Sequence, residues 1–311
     1  MARAPGAALG YDASIEPDRD PAMRPPLSAA FLVTATLLAG CVIVVPDGDG
    51  HWSSDRPAVQ GDGRIASATR PVTALPGLEI EGRRRLDMQV DVQVGGAPAL
   101  TIEADGNLLE HVHTDMRGDT LHIWSDSDTS ASRPVRIRYT VPRLERLETS
   151  GYAGTHVAGL DGGNLKVVQR GSGRIELRGR VDRLEAVNSG SGSLLADALD
   201  AGDTRVTMNG SGRIHLGTVQ GEALRATLYG SGGLTARGEV RAADVTVHGS
   251  GAARLAGLRS QRAALATHGS GDIAIAVSGQ VVSRTDGSGT ITVYGDPLER
   301  SVLGKRTTFV R

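Results

Sequence analysis

Seven copies of Gly-Ser-Gly mark the second half of this chain, starting at Gly171, Gly190, Gly210, Gly230, Gly249, Gly269 and Gly287. Successive copies are 19, 20, 20, 19, 20 and 18 residues apart. A period near twenty residues restricts the chain to repeat architectures, in which each unit buries its apolar face only against its neighbours.

The flanks repeat with the corners. Four and six residues after each first Gly stand Ile175/Leu177, Leu194/Ala196, Ile214/Leu216, Leu234/Ala236, Ala253/Leu255, Ile273/Ile275 and Ile291/Val293. The residue between each pair varies freely, from Glu176 to Thr292. That is period two, the pattern of a strand with one buried face. Four residues before each Gly come Val167, Ala186, Val206, Ala226, Val245, Leu265 and Ser283, so a second short strand enters each corner. Each repeat therefore reads as strand, corner, strand and looser return. The interval is too short for a helical crossover, and like strands stack in parallel. Glycine suits the corner because it reaches positive φ without a Cβ clash. The serines, Ser172 to Ser288, are expected to form a column whose hydroxyls bond one another or the turn backbone. The expected fold is all-β, a single-domain parallel β-helix-like solenoid.

Composition agrees. Of 311 residues 42 are glycine and only 3% are aromatic, which suits a thin solenoid filled by Val, Ile, Leu and Ala. The formal charge of −1 gives no basic field for nucleic acid. Arg83, Arg84 and Arg85 form a compact basic run, read here as a solvated strand end.

In chain order, residues 1–41 read as an export segment. A polar, Pro-containing stretch runs to residue 22; Met23-Arg24 then opens a signal with an apolar stretch from Leu27 to Leu38, and Met23 is the expected true start. Leu38-Ala39-Gly40-Cys41 resembles a bacterial lipobox. That resemblance implies lipid on the Cys41 thiol and on its new amino group, hence a membrane anchor. Val42 follows rather than Asp, which by the same resemblance implies the outer membrane of a Gram-negative cell. Whether the protein faces the periplasm or the outside is open. Residues 42–70 read as a flexible tether rich in turn formers. Residues 71–147 are the β-rich N-terminal part of the solenoid, with Leu86, Met88, Val90, Val92 and Val94 alternating. Ser150-Gly151 reads as a degenerate first corner, which starts the regular repeats near Leu144. The Gly-Ser-Gly solenoid occupies 148–299, and 300–311 leave the repeat as a cap or tail.

Residues from about 72 to 295 resemble the GIN-domain family, described as heads of auto-transporter adhesins. The resemblance rests on the alternating strand at 86–94, Asn107-Leu108-Leu109, Asp119-Thr120-Leu121-His122-Ile123 and the Gly-Ser-Gly ladder. It implies a β-helix-like fold similar to that of pectin lyases and a role in adhesion. It carries over no catalytic residue and no cofactor.

The columns beside the corners carry the candidate chemistry. The outward column after the corner holds Arg174, Ser193, Arg213, Gly233, Ala252, Asp272 and Thr290, a single carboxylate where glycoside hydrolysis requires two. No Gly-x-Ser-x-Gly nucleophile elbow is present. The column before the corner is richer: Arg170, Ser189, Asn209, Tyr229, His248, His268 and Asp286. Its ordinary reading is a solvated polar ridge. Its functional reading is a binding ridge for a surface glycan or protein, anchored on Tyr229. A metal held by His248, His268 and Asp286 is a minor alternative, as is one held by His111, His113 and Asp115 on a single strand face. The expected function is thus a non-enzymatic, lipid-anchored envelope protein that presents a surface for adhesion or envelope assembly. The alternative is a carbohydrate-active β-helix enzyme. Oligomeric state is open.

Overall fold

The computed structural model describes residues 59–126 and 128–311. Its elements, in chain order, are β1 (Val59–Gln60), β2 (Ile65–Arg70), β3 (Gly77–Gly82), β4 (Met88–Val94) and β5 (Ala99–Asp105). A 3-10 helix over Gly106–His111 precedes β6 (Val112–Arg117), β7 (Thr120–Ser125), β8 (Thr129–Ser130) and β9 (Val135–Val141). The repeats supply β10 (Arg146–Gly151), β11 (Gly154–Asp161), β12 (Asn164–Gly171), β13 (Arg174–Asn188), β14 (Ser193–Gly210) and β15 (Arg213–Gly230). They continue with β16 (Gly233–Gly249), β17 (Ala252–Gly269), β18 (Asp272–Gly287), β19 (Ile291–Tyr294), β20 (Glu299–Leu303) and β21 (Thr307–Val310).

From β10 onward every pairing between these strands is parallel and links positions one coil apart, such as Ile214↔Leu234 and Leu228↔Val247. The chain is a β-solenoid, as the repeat demands. The phased residues face inward in every coil: Val206, Ile214, Leu234, Val245 and Ile273 are all buried. The return is not loose. In β14 the strand carries through from Ser193 to Gly210, with register shifts between Ala196 and Asp200 and again between Ala201 and Thr204. Such bulges bend the strand around the core while keeping most ladder bonds.

The corners are held by backbone. The Gly230 carbonyl accepts from both Ser250 N–H (3.0 Å) and Gly251 N–H (2.9 Å) of the next coil. Gly230 itself has φ 107°, and a Cβ built there would lie 2.7 Å from the Gly210 oxygen. Glycine is therefore required twice, for its dihedral and for the close approach of successive coils. The expected serine column is realised at one pair, Ser172 Oγ and Ser191 Oγ at 3.1 Å. Main-chain bonds carry the later corners instead.

The N-terminal part belongs to the same solenoid, so regular coils begin before Leu144. β3 pairs with both β7 and β10, and β4 with both β9 and β11. The coil made by β3 and β4 therefore lies between an outer coil of β7 and β9 and the first coil of the repeats. The chain steps outward and then returns past itself, an order that periodicity does not encode. Gly82, Gly151 and Gly171 stand in register, which extends the corner column back beyond the Gly-Ser-Gly copies. Beyond the outer coil the pairing turns antiparallel, β5 against β9, β2 against β5 and β6 against β7.

Two boundaries need correction. The tether expected over 42–70 does not reach residue 70, because β1 pairs with β8 and β2 pairs with β5; residues 42–58 lie outside the described part. Apolar periodicity missed β2 because the strand is anchored by a polar contact. The Arg70 guanidinium donates to Thr114 Oγ1 at 3.0 Å and to the Leu109 carbonyl at 2.9 Å. Residues 300–311 do not leave the repeat either. β20 and β21 continue the parallel ladder on β18 and β19. Their burial pattern fades because a terminal coil is covered on one side only: all five side chains of β20 are exposed.

Candidate binding ridge

The column before the corner forms one continuous ridge. Asn209, Tyr229, His248, His268 and Asp286 are successive register partners in β14 to β18. In-register parallel pairing sets neighbouring strands about 4.8 Å apart, which is close to the separation of stacked aromatic rings. The Tyr229 and His248 rings stack at 4.8 Å and the His248 and His268 rings at 4.9 Å. The stack ends where His268 Nδ1 meets Asp286 Oδ2 at 3.2 Å. Arg284 Nε donates to the same oxygen at 2.8 Å. That bond, opposed by partial desolvation and helped by the charges of Arg284 and His268, holds the Asp286 carboxyl below its ordinary value. At the other end of the column Arg170 is engaged by Glu148. Tyr229 remains 47% exposed.

This geometry disfavours the metal alternative. Nearly parallel rings 4.9 Å apart keep equivalent nitrogens about 5 Å apart, whereas two zinc–nitrogen bonds of ~2.1 Å reach no farther than about 4.2 Å. Asp286 is also occupied by Arg284. Stacked in this way, the rings present edges rather than faces, with the phenol hydroxyl of Tyr229 and the His248 nitrogens free for hydrogen bonds while His268 Nδ1 is held by Asp286.

The second histidine group is rearranged relative to expectation. His111 closes the 3-10 helix and His113 lies in β6. Asp115 is not their partner; it pairs with Arg117 Nε at 2.9 Å. The missed residue is Asp126, just after β7, whose two carboxylate oxygens lie 2.9 Å from His111 Nδ1 and 2.8 Å from His113 Nε2. The bond from His111, opposed by partial desolvation and reinforced by the bond from His113, holds the Asp126 carboxyl below its usual value. Antiparallel pairing of β6 with β7 creates this proximity, and no local spacing signals it. Trp124 packs beside the group, stacked on His122 at 4.6 Å. Among the described residues no set of three or more His, Cys, Asp or Glu is placed to hold a metal ion.

The single carboxylate of the column after the corner is structural, since Asp272 Oδ1 accepts from Thr290 N–H at 2.9 Å. Carboxylates from adjacent coils do share one groove on the return face, away from the corner columns. A groove of about 700 Å³ there is lined by Asp182, Asp200, Asp203 and Glu222. Asp182 accepts from Gly163 N–H at 2.8 Å, and Asp203 accepts from Glu222 and Ala223 N–H at 2.9 and 3.2 Å. Asp182 and Asp203 thus fasten the turns of neighbouring coils, and Glu222 lies 3.2 Å from Arg241 Nη1. Cys41 lies outside the described residues.

Fold and ridge together define a parallel β-solenoid whose surface side chains stand in ordered columns along its length. The chain belongs to the family described as "Putative auto-transporter adhesin, head GIN domain", whose model matches residues 83–214 and 194–297. Among solved structures it is similar to a "putative lipid binding protein" from Parabacteroides distasonis, at 23% identity and a TM-score of 0.61, covering 81% of this chain and 99% of that one. It is also similar to "putative adhesins" from Parabacteroides merdae (18% identity, TM-score 0.59, 81% and 99% covered) and Parabacteroides distasonis (17%, 0.60, 81% and 98%). At these identities the likeness is one of fold. No curated protein matches the chain by sequence.

Proposed function

We propose that this protein is a non-catalytic, lipid-anchored protein of the cell envelope whose solenoid presents a surface for adhesion or envelope assembly. The observation that carries the reading is the Tyr229–His248–His268 stack. It places an exposed aromatic anchor and two imidazole edges on a sheet already fixed by ladder bonds, so little ordering is left for the moment of binding. Membership of the adhesin-head family supports adhesion as the use of that surface. The Leu38-Ala39-Gly40-Cys41 sequence supports a lipid anchor at Cys41 and an outer-membrane location. The ligand class in this reading is a surface glycan or a protein.

The test is location. Cells carrying the native protein or Cys41→Ser are fractionated, and intact cells are then treated with protease. Outer-membrane protein that depends on Cys41 and is cleaved on intact cells is the expected result. Protein protected from protease would redirect the reading to assembly inside the envelope. Native protein recovered free of membrane, as Cys41→Ser is, would end it. Depolymerisation of an acidic polysaccharide by the purified protein would reverse the non-catalytic assignment.

A further inference from the structure

On the outer face of the sheet that enters the corners, three side chains per strand point to solvent. They are Arg205, Thr207 and Asn209 in β14, then Arg225, Thr227 and Tyr229 in β15. Arg205 and Arg225 are register partners, and both are exposed. Like charges side by side on a sheet are destabilising unless an anion lies between them. The flanking carboxylates do not supply one: Glu185, beside Arg205, pairs with Lys166 Nζ at 2.9 Å, and Asp244, beside Arg225, forms no ion pair with it. Neither guanidinium enters any ion pair or side-chain hydrogen bond of the described residues, and the same is true of Arg262 in β17. A groove of about 330 Å³ runs along the solenoid axis between Arg225 and Arg262; Arg205 stands beside Arg225, outside it. Arg225, Arg262, Gln280 and the single carboxylate Asp244 line it, so its cationic groups outnumber its acid two to one, and the small side chains Ala242 and Ala264 leave its floor open.

We propose that this face binds a carboxylate-bearing polysaccharide laid along the axis of the solenoid. Its acid groups sit on Arg205, Arg225 and Arg262, and its hydroxyls face Thr207, Thr227 and Asn209. From β14 to β17 the three arginines span three strand spacings, about 14 Å, so they suit a ligand that repeats its charge along its length. Guanidinium forks pair two-pronged with carboxylates, which gives orientation as well as affinity. Hydroxyl-bearing columns beside the charges favour a hydroxyl-rich chain over a bilayer surface. The inference deepens the adhesion reading by naming the ligand class, and it rests on that reading for its biological use.

The full-length protein is titrated with polygalacturonate, with neutral dextran and with phosphatidylglycerol vesicles, at low and raised salt. Expected are salt-sensitive binding of polygalacturonate, none of dextran, and at least tenfold weaker binding by R205Q/R225Q with a melting temperature no lower than that of the native protein. R262Q weakens binding in the same direction. Equal binding by R205Q/R225Q, or binding to vesicles but not to polygalacturonate, overturns the inference. Cell attachment separates it from the broader reading. If R205Q/R225Q cells still attach while Tyr229→Ala cells do not, this face is wrong and adhesion stands. If native protein binds polygalacturonate but mediates no attachment, the adhesion reading fails and the arginine face stands.

Discussion

The phenol of Tyr229 and the imidazole of His248 lie face to face, 4.8 Å apart with their planes 6° from parallel. The pairing follows from register, since Tyr229 and His248 are ladder partners one residue before a corner. Each ring fixes the other, and their edges rather than their faces are left for a partner. We expect His248→Ala to weaken cell or ligand binding about as much as Tyr229→Ala, roughly tenfold, because it frees the Tyr229 ring to rotate. Stability should fall by no more than about 1 kcal/mol, the usual worth of one aromatic contact. Binding and thermal unfolding of both variants check this; unaltered binding by Tyr229→Ala would remove the ridge as a site.

Gly230→Val tests the corner. With φ at 107° and the Gly210 oxygen 2.7 Å from the added Cβ, valine meets both dihedral strain and a clash with backbone. We expect a loss of about 3 kcal/mol or more in urea unfolding. Ser231→Ala at the same corner should cost under about 0.5 kcal/mol, because the bonds there run through main chain.

Asn188 and Gln169 form an amide rung inside the core, both almost fully buried. Asn188 Nδ2 donates to Gln169 Oε1 (3.2 Å) and to the Gly192 carbonyl (3.0 Å), and Asn188 Oδ1 accepts from Gly190 N–H (3.0 Å). Asn188→Leu deprives buried Gln169 Oε1 and the Gly190 N–H of their bonds, while the Gly192 carbonyl keeps its bond from Arg213 N–H at 3.1 Å. We expect a loss of about 2–3 kcal/mol by chemical denaturation, despite the gain in apolar volume.

Asp126→Asn tests the bridge to His111 and His113 through pH. The folded carboxyl titrates below its unfolded value, chiefly because of its bond from His111. Its contribution is therefore fully present above the unfolded value near 3.9 and is lost as pH falls through the folded value. The native protein should be the more stable of the two at pH 7. The gap should narrow below about pH 4. A stability difference that is constant from pH 7 to pH 3 would contradict the assignment.

Much of this protein is legible without coordinates. The Gly-Ser-Gly spacing and the phased pairs around it, such as Ile214/Leu216, determine the coil length, the inward face and the parallel stacking. A side chain on a period-two strand has only two faces to choose from, and apolar burial chooses. The same periodicity places Tyr229, His248 and His268 in one column, where their rings stack. What it could not give was any relation carried by non-local pairing. Asp126 reaches His111 and His113 because β6 turns back on β7, and β3 and β4 lie between two later segments of chain. β2 is not marked by apolar periodicity because a half-buried guanidinium, not an apolar stripe, anchors it. The free arginines of β14 and β15 are equally invisible in sequence, since whether a charge is paired depends on which side chains the register brings beside it. Local pattern determines which face of a strand is buried; only the assembled sheet decides which polar groups meet.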